Sequence, residues 1–352
     1  MSNLERRPDE VVSPAAAPTT PLEVLPYREV PLGGPRAMTV RRTLPQRERS
    51  LIGAWCFVDH YGPDDVSDSG GMQVPGHPHT GLQTVSWLFS GEIEHRDTTG
   101  AHATVRPGEL NLMTAGSGIA HSEFSTATTT VLHGAQLWVA LPDAERGIAP
   151  GFQHYVPRVT ETDGARVLVF LGSLLGQSAP VAMHSGIVGA EINLEPGQSL
   201  TVPVDATFEH GILVDSGTAT VATPDTGGTA ETADTMQTGE AIRTVEAKRG
   251  ELAYVPTGHH QIRLEAGRDE PVRLLLLGGE PFGEQIVMWW NFIGRDHDEV
   301  VGFREQWQRE RDKQPPTGPG RFGIFPTEWA HTLPAPELPN LRLRARPTKR
   351  DR

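Results

Sequence analysis

The stretch Leu82-Gln83-Thr84-Val85-Ser86-Trp87-Leu88-Phe89-Ser90-Gly91-Glu92-Ile93-Glu94-His95-Arg96-Asp97 decides the fold. It mixes β-branched and aromatic residues, breaks at Ser90-Gly91, and resumes as a second extended run. The same grammar continues outward. Ala103 to Arg106 is a short strand closed by Pro107-Gly108. Glu109 to Thr114 is closed by Ala115-Gly116-Ser117-Gly118, and Val131 to Leu141 follows. Many short strands with Gly and Pro turns predict a β-sandwich or barrel, and 38 Gly and 30 Pro in 352 residues agree with it. The fold class is all-β.

The second half repeats the pattern. Glu191 to Leu194, Ser199 to Val204 and Glu209 to Val214 lead to the turn Asp215-Ser216-Gly217. Thr218 to Ala222, Leu252 to Val255 and the apolar run Val272 to Leu277 follow. Arg106-Pro107-Gly108-Glu109 matches Lys248-Arg249-Gly250-Glu251, so two related β-domains are expected, joined between 172 and 180. The expected organisation is a disordered tail over 1–21, a first β-domain over 22–172 and a second over 180–312. A mobile insertion over 224–246 and an extended tail over 313–352 complete it. One short helix is expected over Val301 to Asp312, where Phe303 and Trp307 stand at i and i+4 amid charge.

Composition excludes several classes. A formal net charge of -13 argues against a nucleic-acid surface, because phosphate contacts need basic patches. The basic run Arg342 to Arg352 reads as a solvated tail. No segment reaches the apolar length of a membrane span. The single cysteine, Cys56, sits in an apolar run and precludes an internal disulfide. With no apolar leader behind Met1 to Glu10, a cytoplasmic location is expected. Neither a phosphate-cradling Gly-rich loop with Lys nor a nucleophile elbow is found.

Two short pairs carry chemistry: His77-Pro78-His79 and His121-Ser122-Glu123. Side chains at i and i+2 of an extended chain share a face. Two such pairs on neighbouring strands would aim His77, His79, His121 and Glu123 at one point. Pro78 stiffens the first pair, and Gly116 and Gly118 allow a sharp reversal before the second. Three imidazoles and one carboxylate suit Fe, Mn, Ni, Cu or Zn, with two octahedral positions left open. A closed structural zinc site would use cysteines, so iron or manganese is preferred. His95 and Asp97 form a third i, i+2 pair, either as supports for the ligands or as a hairpin end with an ion pair to Arg96. His102 and His133 carry no further pattern. His259 and His260 are adjacent and cannot both point inward, while His184 and His210 are isolated, so the second domain is expected to be metal-free.

The chain resembles the pirin family of bicupins. The resemblance rests on Val58-Asp59-His60-Tyr61-Gly62-Pro63, His77-Pro78-His79-Thr80-Gly81 and His95-Arg96-Asp97. It continues through Met113 to Glu123, Gln136-Leu137-Trp138-Val139, Leu275 to Pro281 and Glu284 to Val287. It covers roughly Val24 to Gln308. It implies tandem cupin (jelly-roll) barrels with an iron(II) site in the first, ligated at His77, His79, His121 and Glu123. Some similar family members act as quercetin 2,3-dioxygenases, and others as iron-dependent transcriptional coregulators. Gln83 stands where a Glu is usual and would alter a charge beside the ligands.

Three readings follow. The first is an iron-dependent dioxygenase on a small flavonol-like phenol, with Glu123 as ligand and proton acceptor. The second is a non-enzymatic iron or redox sensor that binds a protein partner. The third, a zinc sugar-phosphate isomerase, would need basic residues at the site, and the flanking segments offer only Arg96 and Arg106. A pocket open to solvent would favour the enzyme; a closed site beneath a charged face would favour the sensor.

Overall fold

A computed structural model describes residues 11–13, 21–32, 38–46, 49–162, 164–224, 242–312 and 319–339. In the first barrel a seven-stranded antiparallel sheet runs Gly151–Tyr155, Leu110–Thr114, Leu82–Ser90, Val131–Ala140, Trp55–Asp65, Met38–Leu44, Arg28–Leu32. A four-stranded sheet runs Gln73–His79, Ile119–Ser125, Ile93–Asp97, His102–Val105. Apolar side chains of both sheets, among them Val40, Tyr61, Val74 and Ile93, fill the space between. Among the described residues the fold is two cupin barrels followed by one helix.

The second barrel repeats this plan. Its seven-stranded sheet runs Val159–Thr162, Ala165–Leu171, Ile187–Leu194, Val272–Gly279, Glu209–Ser216, Leu252–Val255, Glu23–Leu25. Its four-stranded sheet runs Ser199–Pro203, Gln261–Ala266, Thr218–Pro224, Ile242–Lys248. The matched turns at Gly108 and Gly250 both have positive φ, and each carries the chain from the edge of a four-stranded sheet into a seven-stranded one. The two seven-stranded sheets pack face to face. Trp87 stacks on Phe170 at 4.6 Å, and its Nε1 donates to Glu191 Oε2 at 2.7 Å. Such a dry aromatic contact with its polar tip satisfied favours a fixed barrel-to-barrel geometry.

Several expected boundaries shift. Val159–Leu171, placed by sequence in the first domain of 22–172, pairs with second-barrel strands, so strands change barrel after Tyr155. Glu23–Leu25 also belongs to the second sheet, paired with Leu252–Tyr254. In return Ile286, Met288 and Ile293 pack on Cys56, Leu82 and Trp138 of the first barrel. The chain thus exchanges short segments between barrels, which local strand patterns do not reveal. Val11–Ser13, expected within a disordered tail, pairs with Ile286–Met288. The insertion expected over 224–246 is narrower: Pro224 pairs with Ile242, and residues 225–241 lie outside the described residues. The basic run 342–352 also lies outside them.

The helix α1 (His297–Arg311) begins four residues before Val301, because Asp296 accepts from Glu299 N and caps it. Residues 319–339, expected as part of an extended tail, form an irregular run with turns that packs on the first barrel. Phe322, Phe325 and Trp329 are buried against Trp307 and Ala120. Trp329 lies where a Cβ at Gly76 would sit, and Arg321 donates to the carbonyl of Ser117 at 2.7 Å. Gly76 and Ala120 flank the two ligand pairs on the opposite strand face, so this segment braces the ligand-bearing sheet from outside. Among the described residues no helix is long and apolar enough to cross a membrane.

Candidate metal centre

His77 and His79 close one strand and His121 and Glu123 lie in its antiparallel neighbour. His121 is directly opposite His77. A register shift between His121 and Glu123 sets Glu123 against Val74, bending the strand at the second pair. Gly116 and Gly118 have φ of +53° and +153°, so the reversal before the pair does depend on glycine. The ring centroids of His77, His79 and His121 stand 4.3 to 5.1 Å apart. One nitrogen from each ring lies within 4.8 Å of the others. His95, His121 and Glu123 form a second such group that shares His121.

The four side chains are 0 to 1 % exposed. Burial pulls His77 down to about 3 and His79 and His121 well below the usual histidine range. Neutral imidazoles are the ligand form. Hydrogen bonds fix the tautomers. His77 donates Nδ1–H to the carbonyl of Pro75 at 2.9 Å, leaving a lone pair on Nε2. His95 donates Nε2–H to Asp97 Oδ2 at 3.1 Å, so its Nδ1 accepts from His121 Nδ1–H at 3.3 Å. That leaves a lone pair on His121 Nε2. Nε2 of His77 and Nε2 of His121 are buried with no hydrogen bond, and the His79 ring, buried beside them, meets only the backbone of Asn291, which leaves it a nitrogen to offer. Buried unmet nitrogens converging on one point are costly unless an ion occupies it, so the residues fit a divalent metal.

The pair His95 and Asp97 therefore supports His121, and Arg96 turns outward to Glu94 at 2.8 Å rather than to Asp97. Arg106 likewise pairs with Glu92, so neither arginine offers the basic lining that an isomerase would need. Gln83 departs from expectation. Ser86 faces the site, 3.3 Å from Glu123 Oε1 and 2.9 Å from Gln136 Oε1. Gln83, an odd number of residues away on the same regular strand, projects from the other face and donates to Thr114 Oγ1 at 2.9 Å. A Gln there cannot touch the ligands.

Sequence reasoning assigned no role to several neighbours. Phe152 stacks on His95 at 4.7 Å, and Trp138 meets His79 edge-on at 5.1 Å. It also missed a polar clasp between the barrels. His60 Nε2 and His133 Nε2 both reach Asp215 Oδ1, at 2.6 and 2.5 Å, while Arg273 Nε donates to Oδ2 at 2.6 Å. These are hydrogen-bond separations, shorter than the spacing of ligands around an ion at about 2 Å from each, and the guanidinium already neutralises the carboxylate. Asp215 read from sequence as a turn residue, and long-range partners leave no local pattern. His259 is buried and His260 exposed, as adjacent strand-end residues should be.

Two jelly-roll barrels in one chain, with a His-x-His and His-x-Glu cluster inside the first, define a bicupin. Family models match the chain as pirin over residues 37–139 and as the pirin C-terminal cupin domain over 189–313. The chain belongs to the pirin family. A Pseudomonas aeruginosa protein named "Putative quercetin 2,3-dioxygenase" is 38% identical over 320 residues, covering 90% of this chain and 91% of that one. A structure of quercetin 2,3-dioxygenase from Acinetobacter baumannii superposes with a TM-score of 0.78 at 34% identity, covering 92% of this chain and 98% of that one. The fold is shared with a bacterial pirin of Escherichia coli solved with nickel(II), at 19% identity and a TM-score of 0.54, over 74% of this chain and 99% of that one.

Proposed function

We propose that this bicupin is a metal-dependent dioxygenase for a flavonol-like phenol, with His77, His79, His121 and Glu123 as the ligands. The observation that carries the reading is the convergence of unpartnered imidazole nitrogens inside the first barrel. The names of the two similar proteins support the reaction class. Iron(II) is the preferred metal, with Mn, Ni, Cu or Zn as alternatives. A bound redox metal would supply the dioxygen chemistry.

The chain's own residues supply position and proton handling. Glu123 would take the phenol proton, and the Ser86 hydroxyl, shared between Glu123 and Gln136, would hold that carboxylate in place. Asp97 and His95 hold the His121 ring in one tautomer. Trp138 and Phe152 would form apolar walls that keep water from the reacting ring. Oxygen consumption with quercetin by the Fe(II)-loaded protein tests the reading. Uptake that depends on both metal and flavonol is expected, and no uptake with any flavonol in a fully metallated sample would sink the substrate claim.

The near-complete burial of the four ligands favours a second reading, an iron or redox sensor that binds a protein partner. In that case the protein holds metal but turns over no phenol.

A further inference from the structure

The second barrel holds a cavity of about 220 Å³ lined by Leu174, Val188, Pro203, Val204, Phe208 and His210, among others. His210 shares a strand face with Ile212 and Val214, which point into the barrel core. Its cross-strand partner is Gly278, where a Cβ would come within 2.6 Å of the His210 ring. The glycine leaves room for the imidazole at the cavity wall. His210 is 1 % exposed, yet neither of its ring nitrogens has a hydrogen bond. Burial lowers it to about 4, so at neutral pH it presents one N–H donor and one lone pair.

A buried imidazole with both functions unmet is costly and calls for a partner. The cavity opens to solvent beside Ser173 and Asp205, so water can enter it, and a ring that covers the apolar walls while hydrogen-bonding His210 would displace that water. Size and charge restrict the alternative. An apolar cavity of roughly 150 Å³ takes benzene, so a volume of about 220 Å³ suits a single substituted ring. Asp205 also lines the cavity. It accepts from Thr207 N at 2.8 Å and Thr207 Oγ1 at 2.7 Å, which holds its carboxyl below the usual range and keeps it charged. An anion would meet that charge.

We propose that the second barrel is a binding site for a neutral single-ring phenol or a similarly sized hydroxylated ring, with its hydroxyl on His210. A hydroxyl both donates and accepts, so it can satisfy whichever ring nitrogen faces it. The site is separate from the metal centre and does not depend on what that centre does.

Fluorine-19 NMR on the full-length metallated protein tests this with 4-fluorophenol and fluorobenzene as probes. The phenol should bind about tenfold more tightly than fluorobenzene. That difference should disappear in His210→Leu. Phenol binding should also be lost in Val188→Trp, which fills the cavity with His210 intact, and should persist in His121→Ala. Equal affinity for the two probes would overturn the proposal. So would phenol binding unchanged in both cavity variants, or lost in His121→Ala and kept in His210→Leu. Absence of binding up to about 10 mM probe would also overturn it and assign the cavity to water.

Discussion

His95 and His121 face each other through their Nδ1 atoms at 3.3 Å, across two paired strands and 26 residues of sequence. Because Asp97 accepts the Nε2 proton of His95, the Nδ1 of His95 is the acceptor and His121 the donor. A carboxylate, a bridging imidazole and a ligand imidazole thus form one chain that sets which nitrogen of His121 carries a lone pair. Such outer partners raise ligand basicity.

Asp97→Asn tests this chain with little disturbance, since an amide oxygen still accepts from Thr99 and Ala101, which Asp97 Oδ1 now serves. Metal affinity should fall about 10- to 100-fold, measured by competition with a chelator, while the circular dichroism spectrum is unchanged. Unaltered affinity would show that His95 and Asp97 do not tune the centre.

The inter-barrel clasp gives a second expectation. Asp215 is fully buried between His60, His133 and Arg273, and its hydrogen bonds to the two histidines hold its carboxyl far below the usual range against the effect of burial. Asp215→Asn leaves a partly buried guanidinium without its counter-charge. Stability should drop by on the order of 3 kcal/mol in urea unfolding, with the two barrels losing common cooperativity. A loss under about 0.5 kcal/mol would mean that the apolar interface alone joins them.

Much of this was legible in the chain and some was not, for physical reasons. The alternation in Leu82 to Asp97 and the glycine turns report strands directly, since strand faces and positive φ are local properties. The ligand pairs were legible because i, i+2 spacing encodes a shared face, and the same rule, applied to Gln83, would have sent it to the opposite face from Ser86. The exchange of Glu23–Leu25 and Ile286–Ile293 between barrels was not legible, because strand pairing across hundreds of residues leaves no mark on either segment alone. Asp215 was hidden for the same reason.

Acid sensitivity follows from the buried histidines. The folded pKa of His210 is about 4, below the ordinary 6.5, so the unfolded chain takes up the proton first. Its stabilising contribution is complete above about pH 6.5, declines as pH falls toward 4 and is flat below. At about 1.4 kcal/mol per pKa unit, the loss is on the order of 3 kcal/mol. His60 is lowered by burial and acts in the same direction. Urea midpoints between pH 7 and pH 4 should fall less steeply in His210→Leu than in the parent; equal slopes would contradict the assignment.

Trp329 seals the outer face of the ligand-bearing sheet beside Gly76. Trp329→Ala should cost about 3 kcal/mol through the cavity it leaves, and metal should dissociate faster as the strand carrying His77 and His79 loosens. Thermal unfolding and stopped-flow chelation would read the two effects separately. Faster metal loss without destabilisation would be inconsistent with a bracing role.

The central claim is that His77, His79, His121 and Glu123 form one metal centre. Elemental analysis of the purified protein beside His121→Ala tests it most directly, because His121 belongs to both ligand groups inside the barrel. The parent should carry close to one redox-capable divalent metal per chain and the variant almost none, with its fold intact by circular dichroism. Full metal content in the folded variant would contradict the assignment.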